Sequence, residues 1–291
     1  MEGAALRWSP ARAIGGAGKE GGSPMALTKH KRLTVAGLRE LKGKRQLTML
    51  FVETPDEAAA AAAAGIDILS IVELFWSPAM REAAGDCFVQ VGLIYGQHCT
   101  YEDYLRAAHK NLMIGGDAFY CAASLDTIAK LAAEGIPVVG HVGLIPARAT
   151  WTGGFRAVGK TAAEALNVHG QVKALEAAGA IAAEIEVVPA RVAKEISKRT
   201  SLILMSMGAG SGCDAQYLFA EDVLGYSRGH LPRHAKVYRN FRAELDRLQR
   251  ERIAAFQEFR ADVETGAYPE DRHLVPITDA EFQAFLKGLR E

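Results

Sequence analysis

Glu186 and His141 are the residues of this sequence best placed to move a proton. Glu186 sits in "AEIEVVPA", between apolar Ile185 and Val187 and directly before a turn at Pro189. Burial disfavours the charged form of a carboxylate, so an acid in that setting is suited to taking up and returning a proton. His141 follows the apolar run 136–139 and stands at the head of the loop "GHVGLIPARATWTGGFRAVGK" (140–160). An imidazole there can donate to a developing enolate oxygen or hold a carboxylate. Behind it, Gly153-Gly154 permit a tight turn, and Arg148, Arg156 and Lys160 offer positive charge to an anion. Taken singly, each has a plainer use: the acid as partner to a loop cation, the histidine as a satisfied core residue.

What turns them into a candidate site is the scaffold. From residue 46, short apolar runs alternate with helical stretches. The runs are 46–53, 66–73, 87–95, 118–123, 137–143, 180–188 and 202–208, with a weaker eighth at 222–227; helices are expected over 55–64, 101–114, 125–134, 161–178 and 189–199. Near-continuous apolar runs are the mark of parallel strands covered on both faces. Eight strand–helix units predict an α/β fold, a (β/α)8 TIM barrel, with a doubly wound open sheet as the competitor because the eighth run is poorly marked. In a barrel, active residues project from the C-terminal ends of the strands. Those ends add Glu53, Glu73, Gln97, His98 and Ser206 to Glu186 and His141. The turn "GAGSGCD" (208–214) offers backbone N–H groups to a carboxylate or phosphate.

Composition narrows the partners. The 291 residues carry 34 basic and 34 acidic side chains, so no net charge draws the chain to nucleic acid or to an anionic membrane. No apolar run approaches the ~20 residues of a membrane helix. Four cysteines without CxxC spacing argue against a disulfide framework or a zinc site and fit reduced thiols in the cytoplasm. Residues 1–24 read as a disordered tail, and 25–291 as a single barrel domain with extra C-terminal helices at 237–265 and 278–289. Those helices have too few apolar positions to stand alone, and should pack on the barrel or on a neighbouring subunit.

Four stretches carry a family resemblance: the loop at 140–160, "ALEAAGAIAAEIEVVPARVAKEIS", "MGAGSGCDAQYLFAEDVLGYSRGHLPRHAKVYRNF" and "FRADVETGAYPEDRH". In this order and spacing the chain resembles the ketopantoate hydroxymethyltransferases, (β/α)8 barrels related to isocitrate lyase and phosphoenolpyruvate mutase. The resemblance implies aldol-type transfer of a hydroxymethyl group from methylenetetrahydrofolate to the α-carbon of a 2-oxoacid, 2-oxoisovalerate in the family, through an enolate. It also implies a homo-oligomer. It places the family's catalytic glutamate at Glu186 and its substrate-side histidine at His141. Glu53, Gln97, His98, Tyr120, Arg156 and Ser206 are then the expected substrate-binding residues, with Tyr120 replacing the family's lysine.

The metal half departs from the family. The family chelates the oxoacid through Mg²⁺ held by acidic groups. Here its metal aspartate becomes Glu73, while the other two acids fall at Gly92 and Ala122. One carboxylate of three holds Mg²⁺ poorly. A C–C bond lyase or hydrolase of the same superfamily, with weak or no metal dependence, is the second reading.

Overall fold

A computed structural model describes residues 32–289. The expected tail at 1–24 lies outside the described residues. Eight parallel strands close into a barrel in sequence order, β1 pairing with β8. They are β1 (Leu47–Phe51), β2 (Ile68–Val72), β3 (Phe88–Gly92), β4 (Ala118–Tyr120), β5 (Val138–Gly143), β6 (Ala182–Glu186), β7 (Ile203–Met207) and β8 (Ala215–Phe219). The helices are α1 (Val35–Leu41), α2 (Pro55–Ala63), α3 (Pro78–Ala83), α4 (Tyr101–Met113), α5 (Leu125–Ala133), α6 (Ala149–Thr152), α7 (Ala162–Ala177), α8 (Ala190–Ser197), α9 (Ala220–Leu224), α10 (Phe241–Thr265) and α11 (Asp279–Gly288).

Strand alternation splits the core in two. Leu69, Ile71, Val89, Val91, Val138, Ile185 and Leu204 face outward beneath the helices, and the intervening Met49, Ile68, Phe88, Val139 and Met205 fill the barrel. Two faces of one strand are thus buried at once, which is why the runs read as continuous. Helix starts follow local chemistry. Thr54 and Glu57 form a capping box over α2, and Ser77 with Pro78 opens α3.

One expectation needs correction. The eighth strand is not 222–227 but Ala215–Phe219; residues 220–224 form α9, which ends at Gly225 with φ 72°. A side chain at 225 would meet the Arg239 carbonyl oxygen at 2.1 Å, so only glycine lets the chain turn there. The C-terminal segment forms α10 and α11, as expected from sequence, yet neither helix buries a residue. Phe256, Phe259, Val263, Phe282 and Phe285 stay exposed. All four cysteines are free, and no helix among the described residues is long and apolar enough to cross a membrane.

Candidate active site

The inward-facing layer near the C-terminal ends of the strands is polar. Glu186 and Glu184 alternate inward from β6, and His141 on β5 lies in register with Glu184. Its Nε2 is 3.2 Å from Glu186 Oε2, and its Nδ1 is 3.8 Å from Glu184 Oε2. The Tyr120 hydroxyl from β4 reaches Nδ1 at 2.8 Å. Deeper in the barrel, Gln90 Nε2 donates to Glu184 Oε1 at 2.7 Å and approaches Ser70 Oγ at 3.4 Å. Both Gln90 Oε1 and His141 Nε2 are buried without a hydrogen-bond partner. An unpaired buried donor or acceptor costs ~1–3 kcal/mol, so these two atoms mark places where a ligand group gains most.

The deeper carboxylate is the more strongly desolvated. Burial raises the Glu184 pKa; nearby His141 and the Gln90 amide pull it down only in part. The Tyr120 phenol is pushed up, first by burial and then by repulsion from Glu184 and Glu186. No lysine or arginine bonds to this cluster among the described residues, and an uncompensated buried carboxylate is strongly disfavoured. Glu186, the last residue of β6, lies nearer the mouth.

Backbone geometry presents Glu186. The end of β5 crosses it so closely that a Cβ on Gly143, at φ 86°, would lie 2.4 Å from the Glu186 carbonyl oxygen. That oxygen instead accepts from Leu144 N at 2.9 Å. Val187 follows at φ 49°, the only non-glycine residue with positive φ among those described. It is pinned by Val187 N to Met207 O at 2.8 Å and by Val158 N to its own carbonyl at 3.1 Å.

Beside Glu186 opens a cavity of about 500 Å³ lined by Val187, Pro189, Leu218, Lys160, Arg233 and His234 among others. His234 packs over Gly208, where a Cβ would meet its Nδ1 at 2.7 Å. Burial lowers its pKa, with Glu186 and Asp222 opposing the shift. Ser206 also lines this cavity, but its hydroxyl bonds Gly210 O at 2.8 Å and Ala209 N at 3.2 Å, organising the glycine-rich turn.

The remaining expected residues lie elsewhere on the rim. Arg156 is engaged with Glu164 at 3.2 Å, and Arg148 with the Ala122 carbonyl at 2.6 Å. Glu53 is exposed; together with Asp222 and Glu57 it adds to the burial that raises Glu221. Gln97 is exposed on the loop after β3. Glu73 accepts from Ile94 N at 2.8 Å and pairs with His98 Nε2 at 2.6 Å.

That pairing bears on Mg²⁺. The Glu73 carboxylate already has two partners, the flanking positions Gly92 and Ala122 bring no side-chain oxygen, and Tyr120 is bonded to His141. A hard divalent cation takes several oxygen ligands. Among the described residues no three His, Cys, Asp or Glu side chains are grouped to hold a metal. The donor set does not fit the ion.

Glu184, Gln90 and His234 do not stand out in the sequence. Glu184 had a signal, the period-two step back from Glu186 along a strand; His234 lies in a loop beyond the barrel and had none.

Known proteins resemble the chain in sequence over most of its length. The family model described as ketopantoate hydroxymethyltransferase matches residues 78–271. The 3-methyl-2-oxobutanoate hydroxymethyltransferase of Pyrobaculum calidifontis is 32% identical over 270 residues, 84% of this chain and 99% of that protein. The enzyme of the same name from Halalkalibacterium halodurans is 32% identical over 216 residues, 72% of this chain and 75% of that one. Among solved structures, 2,3-dimethylmalate lyase, a PEP mutase/isocitrate lyase superfamily member, aligns with a TM-score of 0.46 at 13% identity, covering 87% of this chain and 98% of that one.

Proposed function

The chain belongs to the ketopantoate hydroxymethyltransferase family, and on that footing we propose that it transfers a hydroxymethyl group to 3-methyl-2-oxobutanoate (2-oxoisovalerate) or a close 2-oxoacid through an enolate. The observation that carries this reading is the contact of Glu186 with His141 at 3.2 Å, at the mouth of a parallel barrel. Glu186 accepts the α-proton: the C–H bond breaks, an O–H bond forms on the carboxylate, and the electron pair moves to the substrate carbonyl. The oxygen that gains charge takes a hydrogen bond from His141. The nucleophilic α-carbon then bonds to the one-carbon unit, which a donor would supply at the formaldehyde level: its C=O π bond breaks, and the resulting oxygen takes the proton held by Glu186 to give the hydroxymethyl group.

A folate donor, when bound, supplies the one-carbon unit. The cavity beside Glu186 suits one chemically, having apolar walls at Val187 and Leu218 and cations at Lys160 and Arg233 for carboxylates. Without a fitting Mg²⁺ site, the protein's own donors stabilise the enolate. Titration calorimetry should give weaker Mg²⁺ binding than in a relative that keeps all three acids; tight binding at the barrel mouth refutes this.

Incubation with the oxoacid and methylenetetrahydrofolate, followed by NMR detection of hydroxymethylated product, tests the transfer itself. The altered metal positions favour a second reading, a C–C lyase of the superfamily. Folate-independent cleavage of a 2-oxoacid aldol, with no hydroxymethylated product, would select it.

We read 25–291 as one domain working in the cytoplasm as a homo-oligomer. The apolar side chains of α10 recur at helical spacing and stay exposed, and a second copy of the chain is the partner that covers them. Sedimentation at micromolar concentration should give an assembly, and Phe256→Glu with Phe259→Glu should shift it toward the monomer. A monomeric wild type would refute the assignment.

A further inference from the structure

His141 is held from one side and open on the other. Its Nδ1 lies 2.8 Å from the Tyr120 hydroxyl, while Nε2 is buried with no hydrogen bond, even though Glu186 Oε2 is 3.2 Å away. Heavy-atom positions do not choose between the two neutral tautomers of an imidazole; its partners do. The Tyr120 hydroxyl has no other hydrogen-bond partner among the described residues, so its proton is satisfied only if it enters this contact as the donor. An imidazole nitrogen that accepts is unprotonated, and the ring proton must then sit on the other nitrogen.

The opposite assignment has Nδ1 donate to the phenol oxygen, which strands the phenol's own proton in a buried site, unless a second group accepts from Nδ1. Glu184 is the candidate, but its 3.8 Å separation is beyond hydrogen-bond range.

We propose that Tyr120 is a positioning residue: its hydroxyl donates to His141 Nδ1, fixes the neutral Nε2–H tautomer, and so aims a buried, unpaired N–H at the carbonyl oxygen of the bound 2-oxoacid. The assignment rests on the enolisation described above. It gives the phenol that replaces the family's lysine a use: with a lone acid at the metal positions, the enolate's charge falls on this one preorganised donor. A neutral imidazole held in one tautomer pays no reorganisation when that charge appears.

The test is nitrogen-15 NMR of the full-length protein labelled at histidine, without substrate or metal, with the His141 signals assigned by their loss in His141→Gln. The wild type should read as protonated at Nε2 and bare at Nδ1. Tyr120→Phe should lose that signature to a mixture of tautomers. In the same variant the maximal rate of α-proton exchange of 2-oxoisovalerate into deuterated water should fall ~10–100-fold, with KM held within about twofold. Glu184→Gln, which keeps the shape of the side chain, should leave the wild-type nitrogen signature in place. A wild-type spectrum with the proton on Nδ1 or on both nitrogens, or a Tyr120→Phe protein with spectrum or rate unmoved, overturns the proposal. Because the spectrum needs no substrate, it decides the tautomer even if the wild type exchanges no 2-oxoacid, a result that would count against the functional reading instead.

Discussion

Replacing Glu186 with glutamine should lower the rate of α-proton exchange by a factor on the order of 10²–10⁴. The substitution preserves the shape of a buried side chain and removes the base. Exchange into deuterated water isolates this step, since it needs neither the one-carbon donor nor the new C–C bond. The other buried carboxylate does not replace the lost one, because Glu184 is held by Gln90 deeper in the barrel. A Gln variant exchanging a responsive 2-oxoacid at the wild-type rate would remove Glu186 from the mechanism.

Gly143→Ala should be the most damaging conservative change near the site. Gly143 and Gly153 both have positive φ, at 86° and 76°, so alanine at either incurs a similar backbone penalty, ~1–2 kcal/mol. They differ in what a Cβ meets: at 143 the Glu186 carbonyl oxygen at 2.4 Å and Val188 Cγ2 at 2.7 Å, at 153 nothing within 4 Å. The contact at 143 is with backbone and cannot be relieved by rotating a side chain. We therefore expect Gly143→Ala to cost about 1–3 kcal/mol more than Gly153→Ala in chemical denaturation, and to slow exchange by displacing Glu186. Equal stability and equal rates in the two variants would show that the β5–β6 crossing is not what positions the base.

The first seven strands were legible because parallel strands under helices are apolar on both faces, and 137–143 or 202–208 can be little else. The eighth was not. Ala215–Phe219 alternates an inward Ala215, Tyr217 and Phe219 with a polar Gln216, and it follows a glycine-rich turn, so it reads as part of the loop. The stretch 222–227 has better strand composition, but Gly225 closes a single helical turn there. At the site, Glu186 and His141 could be found because each ends an apolar run. Glu184 and Gln90 were hidden within such runs, since the inward face is apparent only once the barrel is closed. Glu73 and His98 could be named but not paired from sequence, because their contact joins the loops after β2 and β3.

Val187 is where conformational strain and the proposed base, Glu186, meet on adjacent residues. A β-branched side chain at φ 49° is among the least favoured states of an L-amino acid, and here hydrogen bonds from the β7 end and the 158 segment enforce it. A designer ranking positions for thermostabilisation would choose this one early and write in glycine or asparagine. The gain would come from loosening the peptide that follows Glu186. Robustness and turnover therefore compete at a single codon, and improving one by sequence optimisation draws down the other.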